Sequence, residues 1–164
     1  VQEFALSGIR VGATNGLAAR YLAREEASTV GLFGSGKLAR TTLEALTLVR
    51  PVTQVKVFSP TPEHRQEFAK EMSSVLEVEV TAVDAAQAVV KGVDIVCCAT
   101  NAGYLGRAAV FDGNWLTPGQ LVISIQNSDV NFLKTEVDET TFVRSDFICI
   151  NDRESATSNN QREL

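Results

Sequence analysis

Three small residues at a fixed spacing, Gly34, Gly36 and Ala39, are the part of the sequence best suited to bind a ligand. They follow the apolar run STVGLF, typical of a strand, and open the segment KLARTTLEALTLV, whose apolar residues recur at helical spacing. In such a strand–turn–helix the first glycine allows a tight turn, the second lets the backbone approach a pyrophosphate, and the small third residue lets the helix pack closely. Free N–H groups at the positive end of the helix dipole meet the anion. We therefore predict that the phosphates of NAD or NADP bind at Gly34, Ser35, Gly36, Lys37, Leu38 and Ala39.

Two other kinds of turn contain glycines at a similar spacing. A Walker-type phosphate loop is excluded, because Leu38 follows Gly36 and Lys37 where that loop has Ser or Thr. A turn that joins a strand to a helix without any ligand stays open as the structural alternative.

The choice between NAD and NADP depends on the residues that follow the second strand. Domains specific for NAD place an Asp or Glu there, which accepts hydrogen bonds from the ribose hydroxyls. This chain has Ser59 and Thr61 at that point, with Arg65 one helical turn further on. Two hydroxyls and a guanidinium suit a 2′-phosphate, so the sequence favours NADP over NAD. The alternative for Arg65 is a solvated position on the surface of a helix.

Cysteine and histidine offer little further chemistry. Cys97 and Cys98 are neighbours in an apolar strand, so their side chains face opposite sides of the sheet. With Cys149 in another apolar run, we expect three buried, reduced thiols, no metal site and a cytoplasmic location. His64 is the only histidine and lies beside the predicted adenosine site, where we expect it on the surface.

The order of apolar runs predicts the elements that position the glycine turn. Six runs predict strands, namely STVGLF, QVKVFS, EVEVTAV, VDIVCCAT, QLVISIQ and DFICIND, and most are separated by helical patterns. This alternation predicts an α/β fold, a doubly wound (Rossmann) mostly parallel six-stranded sheet with helices on both faces. Near the start we expect a helix after Asn15, entered through a glycine-containing loop. Residues 1–27 are then a helical lead-in that links to a domain outside this sequence, and 28–164 form the NAD(P)-binding domain.

Bulk composition limits the classes of partner. A chain of 164 residues with 45% hydrophobic residues is expected to form one globular domain. Its net charge of −5, without any Lys/Arg run, argues against nucleic acid, which rewards clustered basic residues. The longest apolar runs are far shorter than the roughly 20 residues that span a bilayer. We therefore expect a small-molecule partner and neither nucleic acid nor a membrane.

Four segments together carry a resemblance to a known family. They are IRVGATNGLAARYLAR, GLFGSGKLARTTLEAL, VDIVCCATNAG and FDGNWLTPGQLVISIQNSDVNFLKTEVD. In this order they resemble the ornithine cyclodeaminase/mu-crystallin family, which also contains alanine dehydrogenases and cyclic imine reductases. The resemblance covers nearly the whole chain, so it is far more specific than the glycine turn alone.

The resemblance implies roles for residues outside the turn. Arg10 matches the arginine that binds the substrate carboxylate, a group that a guanidinium holds with two parallel hydrogen bonds. Thr100 and Asn101 match residues near the nicotinamide ribose, and Val83 is implied to line the adenine pocket. Asp129 matches the acidic residue that serves proton transfer at the substrate amine. The structural alternatives are a surface ion pair for Arg10 and a loop cap for Asp129.

The resemblance also implies the kind of enzyme. Members of the family carry an additional substrate and dimerisation domain, so a homodimer through that missing domain is expected for the complete protein. The leading hypothesis is the cofactor domain of an NAD(P)-dependent oxidoreductase that acts on an amino or imino acid. The alternatives are a cyclodeaminase, a lyase that keeps NAD tightly bound, and a mu-crystallin-like protein that binds NADPH with little catalysis.

Overall fold

The fold is a parallel five-stranded sheet with helices on both faces, seen in a computed structural model. The structure describes residues 3–102, 105, 109–126 and 135–154. The strand order is β3-β2-β1-β4-β5, and every pair of neighbouring strands is parallel. In chain order the helices and strands are α1 (Glu3–Leu22), β1 (Thr29–Phe33), α2 (Lys37–Val49), β2 (Gln54–Phe58), α3 (Pro62–Leu76), β3 (Glu79–Ala82), α4 (Ala86–Val90), β4 (Ile95–Cys98), a 3-10 turn (Gly113–Trp115), β5 (Leu121–Ser124) and α5 (Glu139–Val143). The predicted doubly wound α/β class is confirmed.

The two faces of the sheet belong to two separate apolar cores. Leu32 and Cys97 pack with residues of α1, α2 and α3 on one face. Phe33 and Cys98 pack with α4, α5 and the 3-10 turn on the other. The prediction that Cys97 and Cys98 are buried and face opposite sides is confirmed, since both are fully buried and belong to different cores. Among the described residues, no helix has the length and apolarity needed to cross a membrane.

Helix α1 begins at Glu3, well before the predicted start after Asn15, so the predicted glycine-containing loop is wrong. Glycines in this segment serve close packing against α2. A Cβ on Gly12 would lie 2.5 Å from the carbonyl oxygen of Thr41, and one on Gly16 would lie 3.0 Å from the Cβ of Ala45. A glycine inside a helix costs about 1 kcal/mol relative to alanine, and this backbone-to-backbone contact offsets the cost.

The predicted sixth strand, DFICIND, is also wrong. Residues 147–150 have no strand assignment, and β5 pairs with β4 alone among the described strands. Phe147 is 71% exposed, and Cys149 is exposed rather than buried as predicted. An apolar, β-branched pattern shows that a segment fits a sheet, but a strand forms only where a neighbouring strand accepts its hydrogen bonds.

Asp94 joins the amino ends of β1 and β4, the edge of the sheet opposite the glycine turn. Its Oδ2 accepts hydrogen bonds from the backbone N–H groups of Ser28 (2.9 Å) and Thr29 (3.0 Å) and from the Thr29 hydroxyl (2.7 Å). Arg24 donates to Oδ1 at 2.5 Å. Partial burial raises the pKa of Asp94, but these hydrogen bonds outweigh burial and lower the pKa to about 2.

This carboxylate is expected to make stability depend on pH in the acid range. Because its folded pKa is below the value of about 3.9 for an unfolded chain, its contribution is complete above about pH 5 and is lost as the pH falls toward 2. Asp94→Asn should lower the free energy of unfolding at pH 7 by about 1–3 kcal/mol, and the difference from the unaltered chain should shrink between pH 5 and 2. Urea unfolding at a series of pH values measures this. Asp146→Asn, at an exposed aspartate, is the control; a constant difference at every pH for Asp94→Asn would contradict the assignment.

Candidate nucleotide-binding site

The two glycines of the turn after β1 are required for different reasons. Gly34 has φ +106°, and a Cβ there would lie 2.3 Å from the carbonyl oxygen of Ala99 at the end of β4. The fold itself therefore requires glycine at position 34. Gly36 has an ordinary φ of −90°, and a Cβ there would meet no atom of the described residues within 4 Å. Neither conformation nor a protein contact requires glycine at position 36, so the residue leaves open space where a ligand can approach the backbone.

The open space lies at the N-terminus of α2, which no side chain caps. Gly36 is the N-cap residue, and Lys37 and Leu38 form the first helical positions. Ala39 is fully buried against the sheet, as the small third residue of the motif is predicted to be. Because α2 is thirteen residues long, its first N–H groups carry the positive end of a helix dipole. The turn therefore has the open backbone and helix N-terminus that a pyrophosphate site requires, and the predicted binding of the phosphates stays a prediction.

Arg40 binds two backbone carbonyl groups of this turn. The sequence did not predict this role. Its Nη1 donates to the carbonyl oxygens of Ser35 (2.9 Å) and Gly36 (3.2 Å). The same guanidinium forms a bidentate pair with Glu71 on α3 and lies 5.2 Å from the ring centroid of Phe68. Hydrogen bonds from Arg40 lower the pKa of the Glu71 carboxyl. With two carbonyls turned toward Arg40, the arginine limits how the turn can rearrange.

Ser59, Thr61 and Arg65 lie together at the carboxyl end of β2, beside the glycine turn. The Ser35 hydroxyl donates to the Ser59 hydroxyl at 3.0 Å, which joins the turn to this strand end. Thr61 is the N-cap residue of α3, and its side chain makes no capping hydrogen bond. His64 is exposed on the first turn of α3, as predicted.

Arg65 is buried rather than solvated, so the surface alternative for it is wrong. Its side chain is 7% exposed, lies 5.4 Å from the ring centroid of Phe58, and donates to the carbonyl oxygen of Ser59 (2.9 Å) and to Asp84 (2.6 Å). The Asp84 side chain is 93% exposed. The buried guanidinium is therefore bound on one edge to a carboxylate that lies in solvent.

A cavity of about 200 Å³ lies between the ends of β1, β2 and β4, next to the glycine turn. Its lining residues are Phe33, Gly34, Phe58, Pro60, Thr100, Asn101, Ala102 and Val110. Thr100 and Asn101 therefore lie at the cavity beside the turn, and their implied place near the nicotinamide ribose stays a prediction. Val83 follows β3 and packs against the core on the face of α4; it is not among the lining residues. A larger depression of about 500 Å³ between α4 and the 3-10 turn shares no residue with the cavity.

Glu136 is a second residue that sequence reasoning missed. It is fully buried at the carboxyl ends of β4 and β5. One carboxylate oxygen accepts hydrogen bonds from the N–H and hydroxyl of Thr100, both at 2.6 Å. The other accepts from the Ser124 hydroxyl (3.1 Å) and from the N–H groups of Ile125 and Gln126 (both 3.0 Å). A lone Glu in a polar stretch carries no local signal of this role.

The structure describes one of the two residues that the resemblance implies to act on substrate. Arg10 is exposed on α1. The N-terminal half of α1 runs beside the start of α2, since a Cβ on Gly8 would lie about 4 Å from side-chain atoms of Leu38 and Thr41. Asp129 lies outside the described residues, so its predicted role stays a prediction.

The strand order places the glycine turn where ligands bind in open parallel sheets. The order reverses between β1 and β4, and the crevice at such a switch point, outside the carboxyl ends of the strands, is the usual ligand site. These features define a Rossmann-type domain. The chain belongs to the ornithine cyclodeaminase/mu-crystallin family, whose model matches residues 2–161.

Individual relatives include redox enzymes and lyases. A putative dehydrogenase of Rhizobium meliloti is 32% identical over 143 residues, covering 87% of this chain and 42% of that protein. An ornithine cyclodeaminase of Agrobacterium fabrum is 26% identical over 141 residues, covering 86% and 38%. The structure of the Thermococcus litoralis Delta(1)-pyrroline-2-carboxylate reductase in complex with NADH and L-proline matches with a TM-score of 0.77 and 31% identity, covering 85% and 41%. The chain therefore spans about two fifths of the length of these relatives.

Proposed function

We propose that this chain is the NAD(P)-binding domain of an oxidoreductase that transfers hydride between the nicotinamide and the α-carbon of an amino or imino acid. The observation that carries the proposal is the open space at Gly36, above the uncapped N-terminus of α2. The Thermococcus litoralis relative with NADH and L-proline bound supports both the cofactor and the substrate class.

The favoured cofactor within this proposal is NADP. No carboxylate directly follows β2, and the hydroxyls of Ser59 and Thr61 lie beside the uncapped start of α3, where we place the 2′-phosphate. Arg65 supplies the positive charge from below, and the phosphate takes the place of the exposed Asp84 carboxylate on its Nη2. NAD remains the alternative cofactor.

In the proposed reaction the nicotinamide supplies or accepts the hydride, and the residues of the chain orient the two reactants. Thr100 and Asn101 form the wall of the cavity beside the glycine turn. Arg10 binds the substrate carboxylate, and Asp129 exchanges a proton at the substrate nitrogen. Both roles are carried over from the family.

A row of apolar side chains on α1 supports the proposal of a further, substrate-binding domain. Leu6, Ile9, Leu17 and Tyr21 are 66%, 62%, 56% and 74% exposed and lie along the outer side of the helix. An apolar row of this length on one helix is typical of a surface that another domain covers. We propose that residues 1–27 link the cofactor domain to this further domain. We also propose that the homodimer forms through the further domain and that the protein is cytoplasmic.

A cyclodeaminase is the second candidate, favoured by the Agrobacterium fabrum relative. A lyase of this kind uses its bound cofactor transiently, so it releases ammonia without a net change in absorbance at 340 nm. A mu-crystallin-like binding protein would bind NADPH and turn over no member of a panel of imino acids. Stoichiometric change at 340 nm with an imino acid supports the oxidoreductase.

Calorimetric titration of this chain with NADPH and NADH tests the cofactor assignment. We expect tighter binding of NADPH by about tenfold, which corresponds to about 1.4 kcal/mol. Arg65→Met keeps much of the side-chain volume and removes the charge, so it should abolish this preference while NADH binding changes little. Equal affinity of the unaltered chain for the two cofactors would overturn the roles of Ser59, Thr61 and Arg65.

A further inference from the structure

We propose that Glu136 is a positioning residue of the cofactor site: its buried carboxylate sets the separation of the ends of β4 and β5 and thereby shapes the nicotinamide side of the cavity. The inference rests on the proposed function. It concerns a residue that touches neither the glycine turn nor the cavity and acts through Thr100.

The Glu136 carboxylate accepts hydrogen bonds from the strand ends at the point where the backbone pairing of β4 with β5 stops. The last paired residues of β4 and β5 are Cys98 and Ser124, and the next backbone bond, from Ile125 N–H to Cys98, is already 3.3 Å long. Beyond it the N–H groups of Thr100 and Gln126 both point to Glu136. The side chain therefore replaces the backbone hydrogen bonds that would otherwise hold the two strand ends together.

Every hydrogen bond that the described residues make with the Glu136 carboxylate is donated to its oxygens, as a negatively charged group requires. Three of them are backbone N–H groups, which cannot accept hydrogen bonds, and they lie on both carboxylate oxygens. An amide at this position would have to turn its NH₂ group toward at least one of these donors. No ion pair involves Glu136 among the described residues, although burying a charge costs several kcal/mol. An apolar side chain here would leave three backbone N–H groups without an acceptor, so the carboxylate holds the two strand ends through directional hydrogen bonds.

Thr100 carries the effect of Glu136 to the cavity. Its hydroxyl donates to Glu136 and accepts a hydrogen bond from the N–H of Ala102 at 3.2 Å, which fixes the backbone on either side of Asn101. Thr100, Asn101 and Ala102 are lining residues of the cavity. The phosphate-binding part of the turn instead depends on Arg40 and α2, which are independent of Glu136. Loss of the carboxylate should therefore disturb the nicotinamide half of the site and leave the adenosine and phosphate half in place.

The test compares two probes on the Glu136→Gln chain. NADPH occupies both halves of the site, whereas ADP occupies the adenosine and phosphate half alone. We expect the Kd for NADPH to rise about tenfold and the Kd for ADP to change less than about twofold. The fluorescence of bound NADPH should also move toward that of the free cofactor.

Asp94→Asn is the matched control, because Asp94 joins two strand ends in the same manner at the opposite edge of the sheet. It should lower stability and leave the ratio of the two Kd values unchanged. If Glu136→Gln does not fold, Glu136→Asp keeps the charge but is one carbon too short to hold both strand ends, and it should change the same ratio to a smaller extent.

The outcomes separate this inference from the proposed function. Equal changes for NADPH and ADP, or no change for either, in a folded Glu136 variant would show that the carboxylate is structural only, while the cofactor assignment stands. If the unaltered chain binds neither NADPH, NADH nor ADP, the proposed function fails and the inference fails with it.

Discussion

Gly36→Asp is expected to abolish dinucleotide binding while leaving the fold at least as stable as before. The Cβ of the new side chain would meet no atom of the described residues within 4 Å, and the backbone at position 36 already has dihedral angles that any residue adopts. Asp is also a better N-cap than Gly, so the free energy of unfolding should stay the same or rise slightly. The carboxylate would fill the phosphate space with a like charge, and the Kd for NADPH should rise at least about a hundredfold, or about 2.8 kcal/mol. Calorimetry and urea unfolding measure the two effects.

Gly36→Asn separates the two causes of this loss. Asn has nearly the same shape as Asp and also caps helices well, but it carries no charge. An equal loss of NADPH binding in both variants assigns the effect to filled space, and a smaller loss for Asn assigns part of it to repulsion. NADPH binding to Gly36→Asp with unchanged affinity would show that the phosphates bind elsewhere.

Gly34→Ala is expected to have the opposite effect, a large loss of stability, although it lies two residues away. A Cβ there would come within 2.3 Å of the carbonyl oxygen of Ala99, and φ is +106°. The backbone of β4 cannot retreat without breaking its contacts with β1, so strain and steric overlap add. We expect the free energy of unfolding to fall by about 3 kcal/mol or more. Urea unfolding with circular dichroism measures this fall.

Gly92→Ala is the matched control for Gly34→Ala. Gly92 also has a positive φ, +70°, but a Cβ there would meet nothing within 4 Å. Its substitution therefore carries the conformational cost alone, about 1 kcal/mol. If the two variants lose equal stability, the close approach of Gly34 to Ala99 contributes nothing.

The glycine turn and the fold class could be predicted from sequence because their signals are local. A strand, a G-x-G-x-x-A turn and a helix are contiguous in the sequence, so the pattern can be recognised without knowing which residues pack against it. The helix α1 could not be predicted correctly, because Gly12 is tolerated only through its contact with Thr41, which lies 29 residues away in the chain. The strand prediction for DFICIND is wrong for the converse reason. Its local pattern fits a strand, but no described strand pairs with it.

The surroundings of a site residue could be predicted where its neighbours are close in sequence, and could not be predicted where they are distant. Ser59 and Thr61 follow a strand end directly, so their place beside the turn was predictable. Arg65 donates to Asp84, 19 residues further on, and Glu136 accepts from Thr100, 36 residues before it. Neither pairing leaves a periodic or compositional signal.

The burial of the two adjacent cysteines has a consequence for oxidative damage. Oxidants attack thiolates, and burial raises the pKa of Cys97 and of Cys98 well above its usual value, so both stay protonated. Each thiol is enclosed in a different core, so an oxidant must penetrate the sheet from opposite sides to reach both. Cys149 is exposed and has no such protection. Oxidation of the folded chain should therefore begin at Cys149 and leave the two buried thiols of β4 intact.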